Sequence, residues 1–297
     1  MDDGRKGILL SGIADEAASS LAHQIAAHKA LGWRFIELRT LDDRQLSDLS
    51  EQEVRELCEQ LARAELQASC ICSPIGNWSR TLDFPLDREI GELNRLSVIA
   101  EQVGTSYIRI MSYADTEGAS EAVRARLFER VGKLVSVAER NGLVLLHENC
   151  TGWAGQHPDF TNQLLNEIPS PSLGLLFDVG NGLAYGYNSL EFLAKVIHAV
   201  KHVHIKDGVR LTGRRDSAAR TSDVRYGLPG SGDASVSACL DLLWSNGYVG
   251  HLSIEPHVSM IPHLRTSSLS TPNWDGYVEY GRIFEKVASS IDGGRPW

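Results

Sequence analysis

Eight times along this chain of 297 residues, a short apolar, β-rich run is followed by a stretch with helical period. The runs are Gly7–Ile13, Phe35–Leu38, Gln67–Cys72, Tyr107–Met111, Leu143–His147, Leu173–Phe177, His202–Ile205 and His251–Ile254. Between them, apolar residues return every three or four positions. Val54, Leu57 and Leu61 follow the second run, and Val123, Leu127, Val131 and Leu134 follow the fourth. That spacing makes one face of an α-helix. Ser50 and Glu53 are spaced as a capping box, and Gly104 and Gly142 stand where the third and fourth helices should stop. Parallel strands need a long crossover, so strict alternation implies a parallel sheet with helices on its faces. Eight repeats of the unit point to closure: an α/β chain folded as one (β/α)₈ TIM barrel, a single domain over residues 1–297. An open doubly wound sheet would want a glycine-rich phosphate turn after an early strand. Gly4, Gly7 and Gly12 fit no such pattern.

Composition narrows the function. The chain is 42% hydrophobic and 23% charged, with a formal net charge of −9. That balance is ordinary for a globular protein and repels a phosphate backbone, so no nucleic-acid partner is expected. No apolar run approaches the roughly 18 residues of a membrane span. The opening apolar stretch, Gly7 to Leu10, is too short for a signal-peptide core, so a cytoplasmic protein is expected. The five cysteines, Cys58, Cys70, Cys72, Cys150 and Cys239, form no CxxC pair and read as reduced, mostly buried thiols.

Barrels of this kind carry their chemistry on the loops that follow the strands. Two of those loops are long, from Asp207 to about Gly232 and from Pro256 to about Asp275. The ends of the last four strands stand out. They deliver Glu148, Asp178, His204 and Glu255 to the same rim. A lone glutamate at a strand end more often anchors a loop, and a lone histidine more often fills a core. Three carboxylates and an imidazole together repel and cost stability unless a cation joins them. The set suits one divalent ion of the Mn²⁺, Mg²⁺ or Co²⁺ kind, Mn²⁺ first, and no thiolate joins it to suggest structural zinc. On the seventh strand His202, His204 and Lys206 share one face. If that face points into the barrel, His204 lies near the mouth, His202 deeper, and Lys206 at the lip, where it could hold a substrate oxygen or bridge to a carboxylate. His147, next to Glu148, should face the other way.

Several short strings together carry a resemblance. They are Gly12-Ile13-Ala14-Asp15-Glu16, Glu37-Leu38-Arg39, Ser73-Pro74-Ile75-Gly76, His147-Glu148-Asn149, Phe177-Asp178-Val179-Gly180-Asn181, His202 to Asp207, and Ile254-Glu255-Pro256. In this order and at these strand ends they resemble the xylose-isomerase-like TIM-barrel superfamily, in its sugar phosphate isomerase/epimerase group. That group holds ketose 3-epimerases, inosose dehydratases and 3-keto-glycoside epimerases. The resemblance implies Glu148, Asp178, His204 and Glu255 as ligands of one metal. It implies Glu148 and Glu255 as a proton-transfer pair on opposite faces of the substrate, and Arg210 as a substrate-binding arginine. Where the group often carries a histidine on strand six, this chain has Asn181, which can hydrogen-bond a hydroxyl but cannot carry a proton.

The chemistry then expected is epimerisation or isomerisation of a keto sugar or keto-glycoside. Carboxylates move the α proton and the metal stabilises the enediolate. The alternative is a dehydratase or lyase acting on a keto-cyclitol or 3-keto-glycoside, because elimination begins with the same step. Trp153 and Trp78 lie in loops where an aromatic face could stack on a sugar. Arg210, Arg214, Arg215, Arg220 and Arg225 crowd the seventh loop, as a solvated lid or an anion clamp. The partner expected is a small-molecule sugar. A homo-oligomer is compatible with everything in the sequence.

Overall fold

The computed structural model describes residues 9–211, 223–258 and 273–291. The barrel strands are β1 (Leu9–Gly12), β2 (Phe35–Leu38), β3 (Gln67–Cys72), β4 (Tyr107–Ser112), β5 (Val144–Gly152), β6 (Leu173–Asp178), β7 (Val200–Ile205) and β8 (His251–Ile254). Every neighbouring pair is parallel, in the order β1-β8-β7-β6-β5-β4-β3-β2. A parallel bridge between Ile13 and Glu37 joins the two ends and closes the barrel. Each strand falls on a run read from the sequence, most within a residue at the described ends; β7 begins two residues earlier, at Val200, and β5 continues to Gly152. Gly7, Ile8, Arg214, Arg215, Arg220 and the central parts of both long loops lie outside the described residues.

The helices are α1 (Leu21–Leu31), α2 (Glu51–Ala64), α3 (Leu86–Val103), α4 (Glu121–Arg140), α5 (Pro158–Glu167), α6 (Asn181–Tyr185), α7 (Ser189–Val196), α8 (Val236–Ser245) and α9 (Trp274–Ile291). The capping box at Ser50 and Glu53 is present in both directions. Gly104 ends α3 with φ +80°.

Alternation along each strand decides what faces where. Ile36, Leu38, Ile108, Ile110 and Leu145 turn outward to α2–α4. Phe177, Val203, Ile205, Leu252 and Ile254 turn outward to α1 and α7–α9. Each fully buried side chain of this kind contributes about 1.5–3 kcal/mol, so the layer between strands and helices carries most of the stability. The alternate positions point into the barrel. A small apolar floor is made by Cys70, Leu146 and Leu176. Towards the C-terminal ends the inward residues are polar: Glu37, Arg39, Arg109, Glu148, Asp178, His202, His204, Lys206 and Glu255, all buried.

Two antiparallel ribbons decorate the rim: Thr40–Leu41 with Arg44–Gln45, and Gly208–Arg210 with Val224–Tyr226. The second is anchored by buried Asp207, whose carboxylate accepts from the backbone N–H groups of Gly208, Gly230, Gly232 and Ala234. This ties both ends of the β7–α8 connection to β7. Residue 232 must be glycine, because a Cβ there would lie 2.3 Å from Asp207 Oδ1. No helix among the described residues is long and apolar enough to cross a membrane.

Candidate metal and substrate site

The four expected ligands converge. Glu148, Asp178, His204 and Glu255 are all buried, and one ligand atom from each lies within 4.8 Å of the others. The local sequence explains how each is aimed. Asp178 ends β6, and its Oδ1 accepts from Gly180 N at 2.7 Å and Asn181 N at 2.8 Å. That turn fixes χ1 and leaves Oδ2 facing inward. Asn149 clamps the same residue from β5: its Oδ1 accepts from Asp178 N at 2.6 Å, and its Nδ2 donates to Asp178 O at 2.8 Å. Gly180 lets this turn lie against β7's exit, since a Cβ there would sit 2.6 Å from Lys206 Cβ and O.

Behind His204 stands Glu37. Its Oε1 is 3.0 Å from His204 Nε2 and its Oε2 is 2.9 Å from His202 Nε2. A carboxylate on one ring nitrogen sets the tautomer and aims the other nitrogen at a metal. His204 Nδ1 does face the carboxylates, 3.5 Å from Glu255 Oε2 and 3.9 Å from Asp178 Oδ2. His202 therefore lies deeper, supporting Glu37. His147 is buried on the outward face of β5, and burial lowers its pKa to about 4.

Three buried cations answer the carboxylates. Arg109 Nη1 donates to Glu148 Oε2 at 2.7 Å, and Asn181 Nδ2 donates to Glu148 Oε1 at 2.9 Å. Arg39 Nη1 donates to Glu255 Oε1 at 3.1 Å while Asp15 grips the rest of its guanidinium through Nε and Nη2. The Lys206 ammonium lies 3.0 Å from Asp178 Oδ2 and 2.8 Å from Glu255 Oε2. Burial pushes the Asp178 carboxyl up to about 7 against the pull of Lys206, with Glu255 and Glu148 adding to the rise. Burial would raise Glu255 too, but Lys206, His257 and His204 hold it well below the usual carboxylate range.

The residues fit a divalent cation. Asp178 Oδ2, His204 Nδ1 and Glu255 Oε2 are buried on one inner face, and the two oxygens are met there by the Lys206 ammonium. They point at one another, and Glu148 completes three hard oxygens and one imidazole nitrogen.

A cavity of about 100 Å³ opens above this cluster, and its walls include Trp78, Glu148, Asn181, Lys206, Tyr226, Glu255 and His257. Asn181 and Lys206 are among its walls, and Arg210 and Trp153 are not. Arg210 donates to the carbonyls of Gly182, Leu183 and Tyr187, because the ribbon that carries it turns the guanidinium back onto α6. Trp153 is buried, stacked on Phe160 at 4.6 Å and edge-on to Phe128 at 5.6 Å, so its ring belongs to loop packing. Trp78 is the tryptophan at the cavity. Sequence reasoning gave no role to Glu37, Arg39, Arg109, Asn149, Glu16, Tyr226 or His257.

Comparison with known proteins agrees with the fold. The sequence model of the xylose isomerase-like TIM barrel family matches residues 25–271. The chain belongs to that family. An inosose dehydratase of Clostridium perfringens is 32% identical over 136 residues, a match spanning 43% of this chain and 46% of that protein. Among solved structures, an L-ribulose 3-epimerase superposes with a TM-score of 0.74 at 16% identity, covering 96% of each chain. The IOLI protein with a bound zinc atom superposes at 0.72 and 17% identity, covering 96% of this chain and 99% of the other. A Mycobacterium smegmatis protein of the same fold, in complex with magnesium, gives 0.70 at 19% identity, covering 96% and 97%.

Proposed function

We propose that this chain is a divalent-metal-dependent epimerase or isomerase of a keto sugar or keto-glycoside. One observation carries the reading. Of the four clustered ligands, Glu148 and Glu255 line the cavity, while Asp178 and His204 lie behind it. The two glutamates come from strands separated around the barrel by β6 and β7. They are placed to exchange a proton with whatever fills the cavity.

A divalent cation held by Glu148, Asp178, His204 and Glu255 would act as a Lewis acid toward a substrate carbonyl. The chain's own residues do the rest. One glutamate takes the proton beside the carbonyl and the other returns a proton to the opposite face. Arg109 and Asn181 keep the Glu148 carboxylate in one orientation, and Arg39, backed by Asp15, does the same for Glu255. Lys206 and Asn181, joined at 3.1 Å, present donors to the substrate's oxygens. Burial of the whole group keeps water from competing for the proton.

A second reading, a dehydratase of a keto-cyclitol, is favoured by the partial match to inosose dehydratases. It shares the first proton removal and differs in the bond that breaks next. Proton NMR in D₂O separates the outcomes on a panel of free ketoses, inososes and 3-keto-glycosides. Loss of one C–H signal with a new stereoisomer supports epimerisation, and loss with a conjugated enone supports elimination. No exchange with any ketone would refute both.

A further inference from the structure

His257 stands two residues beyond Glu255, past Pro256, and it is held in an unusual way. Its φ is +52°, in the left-handed region that bulky residues rarely adopt. Such strain persists where the surroundings over-determine it, and it clusters at functional positions. Glu16, from the turn after β1, does the determining. Its Oε2 accepts from the His257 backbone N–H at 2.8 Å, and its Oε1 meets His257 Nδ1 at 2.9 Å. Tyr226 packs nearly perpendicular to the imidazole, centroids 5.0 Å apart. The ring is 3% exposed yet lines the cavity that Glu148 and Glu255 line. Its Nε2 lies 3.5 Å from Lys206 Nζ and 3.9 Å from Glu255 Oε1.

An ammonium carries only donors, so Nε2, facing Lys206, serves as the acceptor. The ring proton then sits on Nδ1 and points at Glu16. We propose that His257, locked by Glu16, determines specificity by hydrogen-bonding a free hydroxyl of the substrate through Nε2, the hydroxyl taking the place of the long Lys206 contact. The assignment rests on the enolisation reading above and narrows it. A carboxylate or phosphate brings no donor to Nε2, and an O-substituted sugar has lost the one it needs. A ring fixed through its backbone and its far nitrogen cannot swing to suit another ligand. The substrate is therefore a polyhydroxy ketone unsubstituted at the oxygen His257 reaches.

The test uses full-length, metal-loaded protein and scyllo-inosose with its monodeoxy analogues, following C–H exchange in D₂O. His257→Asn keeps a residue that tolerates positive φ but is too short to reach. It should raise KM about tenfold, the worth of one hydrogen bond, with kcat little changed and metal content unaltered. Wild-type protein should discriminate about tenfold against one monodeoxy analogue, and the variant should not. Glu16→Gln, which keeps an acceptor for the backbone N–H but disturbs the partner of Nδ1, should raise KM in the same direction if the first variant folds poorly. An unchanged KM, or the same deoxy penalty in wild type and variant, would overturn the role of His257 while leaving enolisation intact. Absence of exchange by wild-type protein on every ketone would instead remove the enolisation reading and this assignment with it.

Discussion

Glu37 Oε1 lies 3.0 Å from His204 Nε2, deep in the barrel and on the side away from the clustered carboxylates. The pair spans the barrel, from β2 to β7, and both residues are fully buried. Its consequence is directional: His204 can offer only Nδ1 to a metal.

Replacing this carboxylate should weaken metal binding without removing a ligand. Loss of such a supporting partner typically costs about 10–100-fold in metal affinity. Titration calorimetry with Mn²⁺ on Glu37→Gln should show that drop at unchanged stoichiometry. An unaltered affinity would mean that His204 is oriented by something else.

Arg109 and Glu148 form a buried ion pair at 2.7 Å, both side chains at most 3% exposed. Arg109→Met leaves the glutamate's charge without its partner, and breaking such a pair costs about 3–5 kcal/mol. Urea unfolding of the metal-free protein should show a loss of this order. Adding Glu148→Gln should recover part of it. Equal stability of Arg109→Met and wild type would show that the pair is not felt in the fold.

Gly180 touches the Lys206 backbone so closely that any Cβ forces the two apart. Overpacking of this kind costs about 1–3 kcal/mol. Gly180→Ala should also lower turnover, because Asp178 and Asn181 lie on the displaced turn. Thermal melts and exchange assays on one preparation read both effects, and a variant as active as wild type would separate the turn from catalysis.

His28 supplies a pH test away from the site. It is fully buried, with Nδ1 3.0 Å from Gln24 O and Nε2 3.3 Å from Tyr277 Oη, and burial lowers its pKa to about 4. Between pH 6.5 and 4 the unfolded chain binds a proton there that the folded chain does not. Stability must therefore fall as the pH falls through that window, by about 3 kcal/mol once both pKa values are passed. His28→Gln removes this contribution. Its stability, measured in urea from pH 7 to pH 4, should decline less steeply than wild type, and parallel curves would contradict the shift.

The barrel was legible because hydrophobic period survives in a single sequence, and the ligands because each ends a strand whose inward face that period fixes. What stayed hidden depends on closure. Glu37 and Arg109 sit inside apolar strands, in Phe-Ile-Glu-Leu and Tyr-Ile-Arg-Ile. A charge at an inward strand position was the signal, but the partner is remote in sequence: His204, 167 residues from Glu37, lies across the barrel, and Glu148, 39 residues from Arg109, lies on the neighbouring strand. Loop residues were hidden for another reason. Trp153 precedes Phe160, which covers it from α5, and Arg210 rides a ribbon whose pairing no local pattern announced. Position in a loop does not say which way a side chain turns.

The proposed function depends on one divalent ion held by Glu148, Asp178, His204 and Glu255. Elemental analysis after extensive dialysis measures it directly. One equivalent of Mn²⁺ or a similar ion per wild-type chain is expected, falling to background in the Glu148→Gln, Glu255→Gln double variant while the fold persists by circular dichroism. Full metal content in the double variant would contradict the ligand assignment, and three equivalents per wild-type chain would contradict the single site.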